Sequence, residues 1–342
     1  VSVTRKTKEI DGVSSDALPL DEMLEAAEPV ILKGVVRGWP LVRSCSASPG
    51  EAMSCLKSYS TGEAMVAYVA PPDAGGKFFY NAEATGMNFE TKRMTLDEFF
   101  NALLEHAEID EAPAYYLGSV DVNRFFPGLL NENGLCQGLQ SFSVRPVLAS
   151  LWIGNRTTAA AHFDMTHNLA CCCGGRRRFT LFPPDQIANL YPGPLEPTPA
   201  GQMVCMADLG SPDVDRFPRI EAALEAAEIA ELEPGDVLFY PAMWWHQVEA
   251  LAGFNVMMNF WWGESPAHMD TPMNTILHGI LSLRDRPDPE KRAWRALFDY
   301  YVFGDPVTPA AHIPRAARGW LSPLDDRAAR RLRALLHNRL NR

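Results

Sequence analysis

Long apolar runs are missing from this chain, and their absence excludes the most. No stretch of about 18 apolar residues is present to span a bilayer, and the opening VSVTRKTKEIDG lacks the apolar core of a signal peptide. Cysteine is sparse, seven in 342 residues, with no paired spacing. A disulfide framework is therefore not expected, and the chain is read as a protein of a reducing compartment, the cytoplasm. Cys171, Cys172 and Cys173 are consecutive, so on a strand they alternate between faces; that suits small core residues better than a zinc site. Positive charge is also in deficit, 31 Lys and Arg against 42 Asp and Glu, a formal net charge of -11. General affinity for nucleic acid phosphates is not expected. The arginine-rich tail DDRAARRLRALLHNRLNR is read as the solvated face of a terminal amphipathic helix.

What is present is a chain of 47% hydrophobic residues, long enough for one large, elaborated domain. Its sharpest signal is AHFDMTHNLACCCGGRRRFTLFPP, where His162 and Asp164 stand two positions apart. On an extended strand such residues share a face and can meet one metal ion, whereas His167 points the other way. A third ligand, His246, follows an apolar strand in LEPGDVLFYPAMWWHQVEAL. Two histidines and one carboxylate form the facial triad of non-haem Fe(II), with three coordination positions open for an oxidisable co-substrate and dioxygen.

The surroundings are ordered by the same alternation. Asn168 shares the face of His162 by this count, and Asn259 shares a face with Asn255 and Trp261 in FNVMMNFWW, opposite Val256, Met258, Phe260 and Trp262. Amides among apolar neighbours need hydrogen bonds, so Asn168 and Asn259 are candidates to orient ligands or an oxygen-rich co-substrate. A dicarboxylate co-substrate needs a cation for its distal end. Arg177 is the candidate, because its guanidinium matches a carboxylate with two prongs, while Arg176 and Arg178 should face outward. Trp152, Trp244, Trp245 and Trp261 are candidates to line the pocket.

In chain order, a strand is expected over residues 29–36, a helix at AMSCLKSYS and a strand at EAMVAYVA. The loop PPDAGGKFFYNAEATGMNF could rim a pocket or form a plain hairpin. Thr95 with Glu98 makes a capping box for the helix TLDEFFNALLEHAEID, with Phe99, Leu103 and Leu104 on one stripe and His106 at its end. From residue 114 short strands alternate with turns, as in an antiparallel barrel or sandwich. AYYLGSV, RPVLASLWIG, TTAAAHFDMTHNLACCC and RRRFTLFPP are each read as one strand. A long insertion between Tyr191 and Glu233 carries one expected helix, PRIEAALEAAEIAEL, and an insertion of that size is usually functional or covers a sheet edge. The end of the chain is helical. Met273, Ile276, Leu277, Ile280 and Leu281 form an apolar stripe that would pack on a second subunit or on the outside of the barrel.

The combination of HFDMTHNLACCCGGRRRFTLFPPDQ, LEPGDVLFYPAMWWHQVEAL and NVMMNFWW resembles the cupin-like JmjC proteins, 2-oxoglutarate dioxygenases that include the asparaginyl hydroxylase of hypoxia-inducible factor. SLWIGNRT before the HxD strand is similar to the bacterial cupin-like branch. The resemblance runs from EPVILKGVVRGWPLV to Trp262. It implies a mainly β fold with α elaborations, a double-stranded β-helix of the cupin or jelly-roll type. The implied JmjC/cupin-like domain covers residues 1–262, with an N-terminal α/β elaboration over 1–113, a β-helix core over 114–262 and a helical extension over 263–342 that could form a homodimer. It further implies iron at His162, Asp164 and His246, and co-substrate contacts from Tyr116, Asn168 and Asn259. The activity implied is Fe(II)- and 2-oxoglutarate-dependent hydroxylation of a protein side chain or small molecule. A JmjC-type demethylase and a non-catalytic, metal-binding cupin with a ligand-binding or regulatory role remain as alternatives. The sequence departs from the asparaginyl hydroxylase at Arg177, where that enzyme has lysine, and at Ala159, where it has threonine.

Overall fold

The computed structural model describes residues 3–341 except 108, 110, 136–138, 140–142 and 144–145. It divides into two compact units, Val1–Glu264 and Ser265–Arg342.

The strands of the first unit are β1 (Lys8–Ile10), β2 (Val30–Leu32), β3 (Met65–Ala70), β4 (Lys77–Phe78), β5 (Glu90–Met94), β6 (Ala114–Asp121) and β7 (Leu148–Gly154). They continue with β8 (Thr158–Phe163), β9 (His167–Gly174), β10 (Arg177–Phe182), β11 (Glu228–Leu232), β12 (Val237–Tyr240), β13 (Trp245–Ala250) and β14 (Asn255–Trp262). The major sheet has the order β1-β2-β12-β9-β14-β7-β6-β3-β5, and the minor sheet β11-β10-β13-β8-β4. Pairing is antiparallel except for β1 with β2 and β4 with β8. One core lies between the sheets and joins Ala170, Cys172, Leu238 and Met257 of the major sheet to Phe179, Leu181, Leu232 and Val248 of the minor sheet. A larger core on the other face of the major sheet holds Cys171, Cys173, Met258 and Phe260 against helical residues such as Leu41, Leu56 and Phe99. The two faces explain the cysteine run: successive side chains enter different cores, and all three are fully buried. This is a cupin jelly roll whose major sheet is backed by the N-terminal helices.

Several elements differ from the sequence reading. The segment expected as one strand around the HxD pair is two strands, β8 and β9, in different sheets, and residues 164–166 form the turn between them. The strand expected over 29–36 stops at Leu32, because Gly34 takes φ +68° and Val36 donates its backbone N–H to the carbonyl of Gly235. The helix expected through residue 232 ends at Ala226. Its second half is β11, which pairs with β10 and buries Glu228, Ala230 and Leu232; ladder hydrogen bonds and a period-two burial override the helical propensity of Ala and Glu. The capping box at Thr95 and Glu98 forms, but the buried stripe is Leu96, Phe99, Phe100 and Leu103, and Leu104 is exposed.

The second unit is helical, with helices at Pro272–Ser282, Asp288–Phe298 and Asp326–Leu340. Neither of the first two buries a residue. No described helix is long and apolar enough to cross a membrane.

Candidate metal centre

His162 and His246 lie directly opposite each other on the antiparallel pair β8 and β13, where facing side chains approach closely. Their ring centroids are 4.4 Å apart. The β13 register shifts just after His246, an irregularity of the kind that re-aims side chains near active sites. Each ring places Nδ1 against a backbone carbonyl two residues earlier, His162 against Ala160 at 2.8 Å and His246 against Trp244 at 3.0 Å. A carbonyl only accepts, so Nδ1 carries the proton in both rings and both Nε2 lone pairs are free. Burial, with His162 as a cationic neighbour when protonated, pushes the His246 pKa down to about 4, which keeps the ring neutral and fit to ligate.

Asp164 completes the cluster from the turn after β8, with Oδ2 3.7 Å from His246 Nε2. One ligand atom from each of the three residues falls within 4.8 Å of the others. Two contacts hold Asp164: the Met243 backbone N–H donates to its backbone carbonyl at 2.8 Å, and Trp261 Nε1–H donates to its carboxylate Oδ2 at 3.2 Å. The first ties the turn to the loop that leads into His246. Trp261 was legible as a pocket residue but not as a partner of Asp164, since nothing local links positions 97 residues apart. Trp261→Phe keeps the ring and deletes the donor; Mn(II) affinity should fall by roughly tenfold, as measured by isothermal titration.

The site opens into a cavity of about 530 Å³ between the sheets. On its floor, Trp152 Nε1–H donates to Asn259 Oδ1 at 2.7 Å, Asn259 Nδ2–H to Asn168 Oδ1 at 3.4 Å, and Asn168 Nδ2–H to the Tyr240 hydroxyl. Both amides expected to need partners have them, and the chain of bonds ends at Tyr240, whose ring centroid lies 4.6 Å from that of His246. Burial raises the Tyr240 pKa well above the usual phenol range, with the Asp164 charge adding to it. Tyr240 escaped the sequence reading because it ends an otherwise apolar run; its signal is strand parity with Leu238, which faces the same core.

Arg177 is 1% exposed at the start of β10, on the inward face it shares with Phe179. No described carboxylate pairs with it, and its Nε and Nη2 have no hydrogen-bond partner among the described residues. Tyr116 lies beside it: burial pushes the Tyr116 hydroxyl up to about 12 against the opposing pull of the guanidinium. Arg176 and Arg178 face outward and share Glu231. A buried guanidinium with unused donors is a receptor for an anion. Arg177 sits opposite Ala250 in the same ladder that sets Leu181 opposite His246, a separation of roughly 13 Å along β13 that its side chain partly spans.

Among the expected pocket tryptophans, Trp152 and Trp261 line the cavity and Trp244 and Trp245 do not. Trp244 donates to the Ala27 carbonyl at 3.3 Å, and Trp245 packs on Phe163. The loop after β3 proves to be a rim: Phe78, Met87 and Phe89 line the cavity. The long insertion supplies another wall through Thr198, Pro199 and Val204, and its Cys205 backbone N–H bonds the Ala161 carbonyl on β8.

A jelly roll with two tautomer-fixed histidines and a carboxylate facing a cavity between its sheets defines a cupin with three grouped ligand atoms that could hold a metal ion. Comparison with known proteins agrees: residues 16–268 match the family model described as a cupin-like domain, and the chain belongs to that JmjC-like family. It is 27% identical over 268 residues to tRNA wybutosine-synthesizing protein 5 of Danio rerio, covering 72% of each chain. It is 31% identical over 128 residues to lysine-specific demethylase JMJ31 of Arabidopsis thaliana, covering 36% of this chain and 23% of that protein. It is 32% identical over 150 residues to human HSPB1-associated protein 1, covering 43% of this chain and 30% of the relative. The chain thus spans well under half of the latter two proteins.

Proposed function

We propose that this chain is an Fe(II)- and 2-oxoglutarate-dependent oxygenase that hydroxylates a C–H bond of a protein side chain or small molecule. The observation that carries the proposal is Arg177, a buried cation with unused donors beside Tyr116, a residue of the cavity wall that His162, Asp164 and His246 also line. The donor set of two imidazoles and a carboxylate suits Fe(II). The orphaned guanidinium suits the distal carboxylate of a dicarboxylic co-substrate, with Tyr116 as a second donor.

Bound iron and 2-oxoglutarate would together supply the oxidising power for dioxygen activation, and the chain supplies the rest. His162, Asp164 and His246 would hold the ion on one side only. Trp261 keeps Asp164 in its rotamer. The Asn259, Asn168 and Tyr240 network presents polar groups beside the metal without free movement. Apolar walls keep bulk water away. Demethylation, the activity named for lysine-specific demethylase JMJ31, would use the same groups on an N-methyl carbon.

The test is an anaerobic titration of the Fe(II) protein with 2-oxoglutarate. A weak visible charge-transfer band that saturates is the expected outcome, and its absence with iron bound would overturn the proposal.

We further propose that the Ser265–Arg342 unit forms a homodimer. Ile276, Leu277 and Leu281 of the stripe are exposed, and so large an apolar patch on a surface is a common mark of association. Light scattering at micromolar concentration should give a dimer mass, and Leu281→Glu should shift it towards the monomer. We also propose a cytoplasmic location, in keeping with seven cysteines that show no paired spacing in the sequence.

A further inference from the structure

The wall of the cavity carries almost no charge. Of the described residues that line it, only His162, Asp164 and His246 are ionisable near neutral pH, and all three belong to the candidate metal centre. The remaining wall is mostly aromatic and aliphatic, with the neutral amides of Asn168 and Asn259 and scattered hydroxyls such as Thr91 and Thr198. With iron and 2-oxoglutarate in place, the dianion offsets the dication and Asp164 offsets Arg177. The loaded site is then neutral before any substrate enters, and a charged substrate group would be buried without a counter-ion, at a large desolvation cost.

Aromatic faces could in principle offset that cost for an ammonium group. Here the rings of the wall pack on one another. Tyr68, Phe78 and Phe89 close into a triangle with centroid separations of 5.2, 5.5 and 6.5 Å and interplanar angles of 64°, 86° and 71°. Rings packed edge to face at these distances leave no gap between two faces for a cationic head. Phe78 continues the contact chain to Tyr116 and Tyr116 to Trp152, at 5.6 and 5.7 Å.

We infer that the group oxidised is uncharged and predominantly apolar, an aliphatic or aromatic side chain or the matching part of a small molecule; the inference rests on the iron and 2-oxoglutarate reading above. A lysine, methyl-lysine or arginine head would find no counter-ion on the same wall, which disfavours the demethylase reading against oxidation of a hydrocarbon.

The experiment loads the full chain with Mn(II) and 2-oxoglutarate and follows paramagnetic broadening of probe protons by NMR. The probes are N-acetyl-leucinamide, N-acetyl-phenylalaninamide, N-acetyl-argininamide, N-acetyl-trimethyllysinamide and a capped pentapeptide with a central leucine. The neutral side chains should be broadened by Mn(II), and the cationic ones should bind at least about tenfold more weakly. Tighter binding of the pentapeptide than of the single residue marks a peptide substrate, and equal binding marks a small molecule; either supports an apolar group. Thr91→Asp, on an exposed rim position, should improve binding of the cationic probes by about two- to fivefold with Mn(II) affinity unchanged. Equal or stronger broadening of the cationic probes in the unaltered chain, or none for the neutral ones, overturns the inference. If instead the EPR signal of free Mn(II) persists in the presence of protein, it is the metal-centre reading that has failed.

Discussion

Iron binding is expected to collapse when either His162 or Asp164 is replaced by alanine. Each variant leaves two of three protein ligands on a metal that already binds weakly in the divalent series, so affinity should drop on the order of a hundredfold or more, by proportion to the free energies of multi-ligand sites. The fold should survive. His162 is half-buried at the end of β8, and its loss frees only the Ala160 carbonyl. Asp164→Ala leaves Trp261 Nε1–H without its acceptor, a cost of about 1–3 kcal/mol. Iron stoichiometry after anaerobic loading and desalting, read beside circular dichroism, decides the matter. Stoichiometric iron in both variants would overturn the assignment.

The second large effect is expected at Arg177. Arg177→Ala should weaken 2-oxoglutarate binding by roughly 3–5 kcal/mol, the usual consequence of leaving one member of a buried charge pair alone, while iron stays bound. Arg177→Lys should restore part of the affinity, since the charge returns without the fork. Arg176→Ala and Arg178→Ala should have little effect, because both side chains reach outward to Glu231. Titration of the charge-transfer band across the four variants gives the comparison, and equal affinities would place the carboxylate elsewhere. A control of opposite sign is available. In the ligand-free chain the guanidinium is buried with unmet donors, so Arg177→Met should raise the thermal midpoint even as it removes co-substrate binding.

Local pattern made much of this site legible. Alternation placed Asn259 with Trp261 and separated Arg177 from its two neighbours, because those residues sit inside single strands, where the period of two holds. The same rule does not hold for Asp164, which lies beyond the end of β8. It joins His162 at the site through a turn between sheets, and the two-residue spacing reached the right partner by a different geometry. The false helix over Glu228 to Leu232 has a related cause: helical propensity is local, whereas the pairing with β10 that decides the outcome joins segments about 50 residues apart in sequence. The Trp261 bond to Asp164 depends on tertiary approach alone, whereas Tyr240 carries a readable signal in its parity with Leu238.

The rim has a further consequence, for how such a protein can change over generations. The ionisable groups of the site stand on or beside strands, whereas the loop from Phe79 to Phe89 and the insertion from Tyr191 onward form much of the outer wall and could diverge while the metal frame stays fixed. They cannot diverge separately. Tyr80 reaches from one to the Pro194 carbonyl of the other at 3.4 Å, and a methyl group on Gly193 would stand 2.7 Å from Met206 Sδ and 3.1 Å from Tyr80. A graft of either loop from a relative with different substrate scope would therefore need its partner loop as well, and the two should be inherited as one unit.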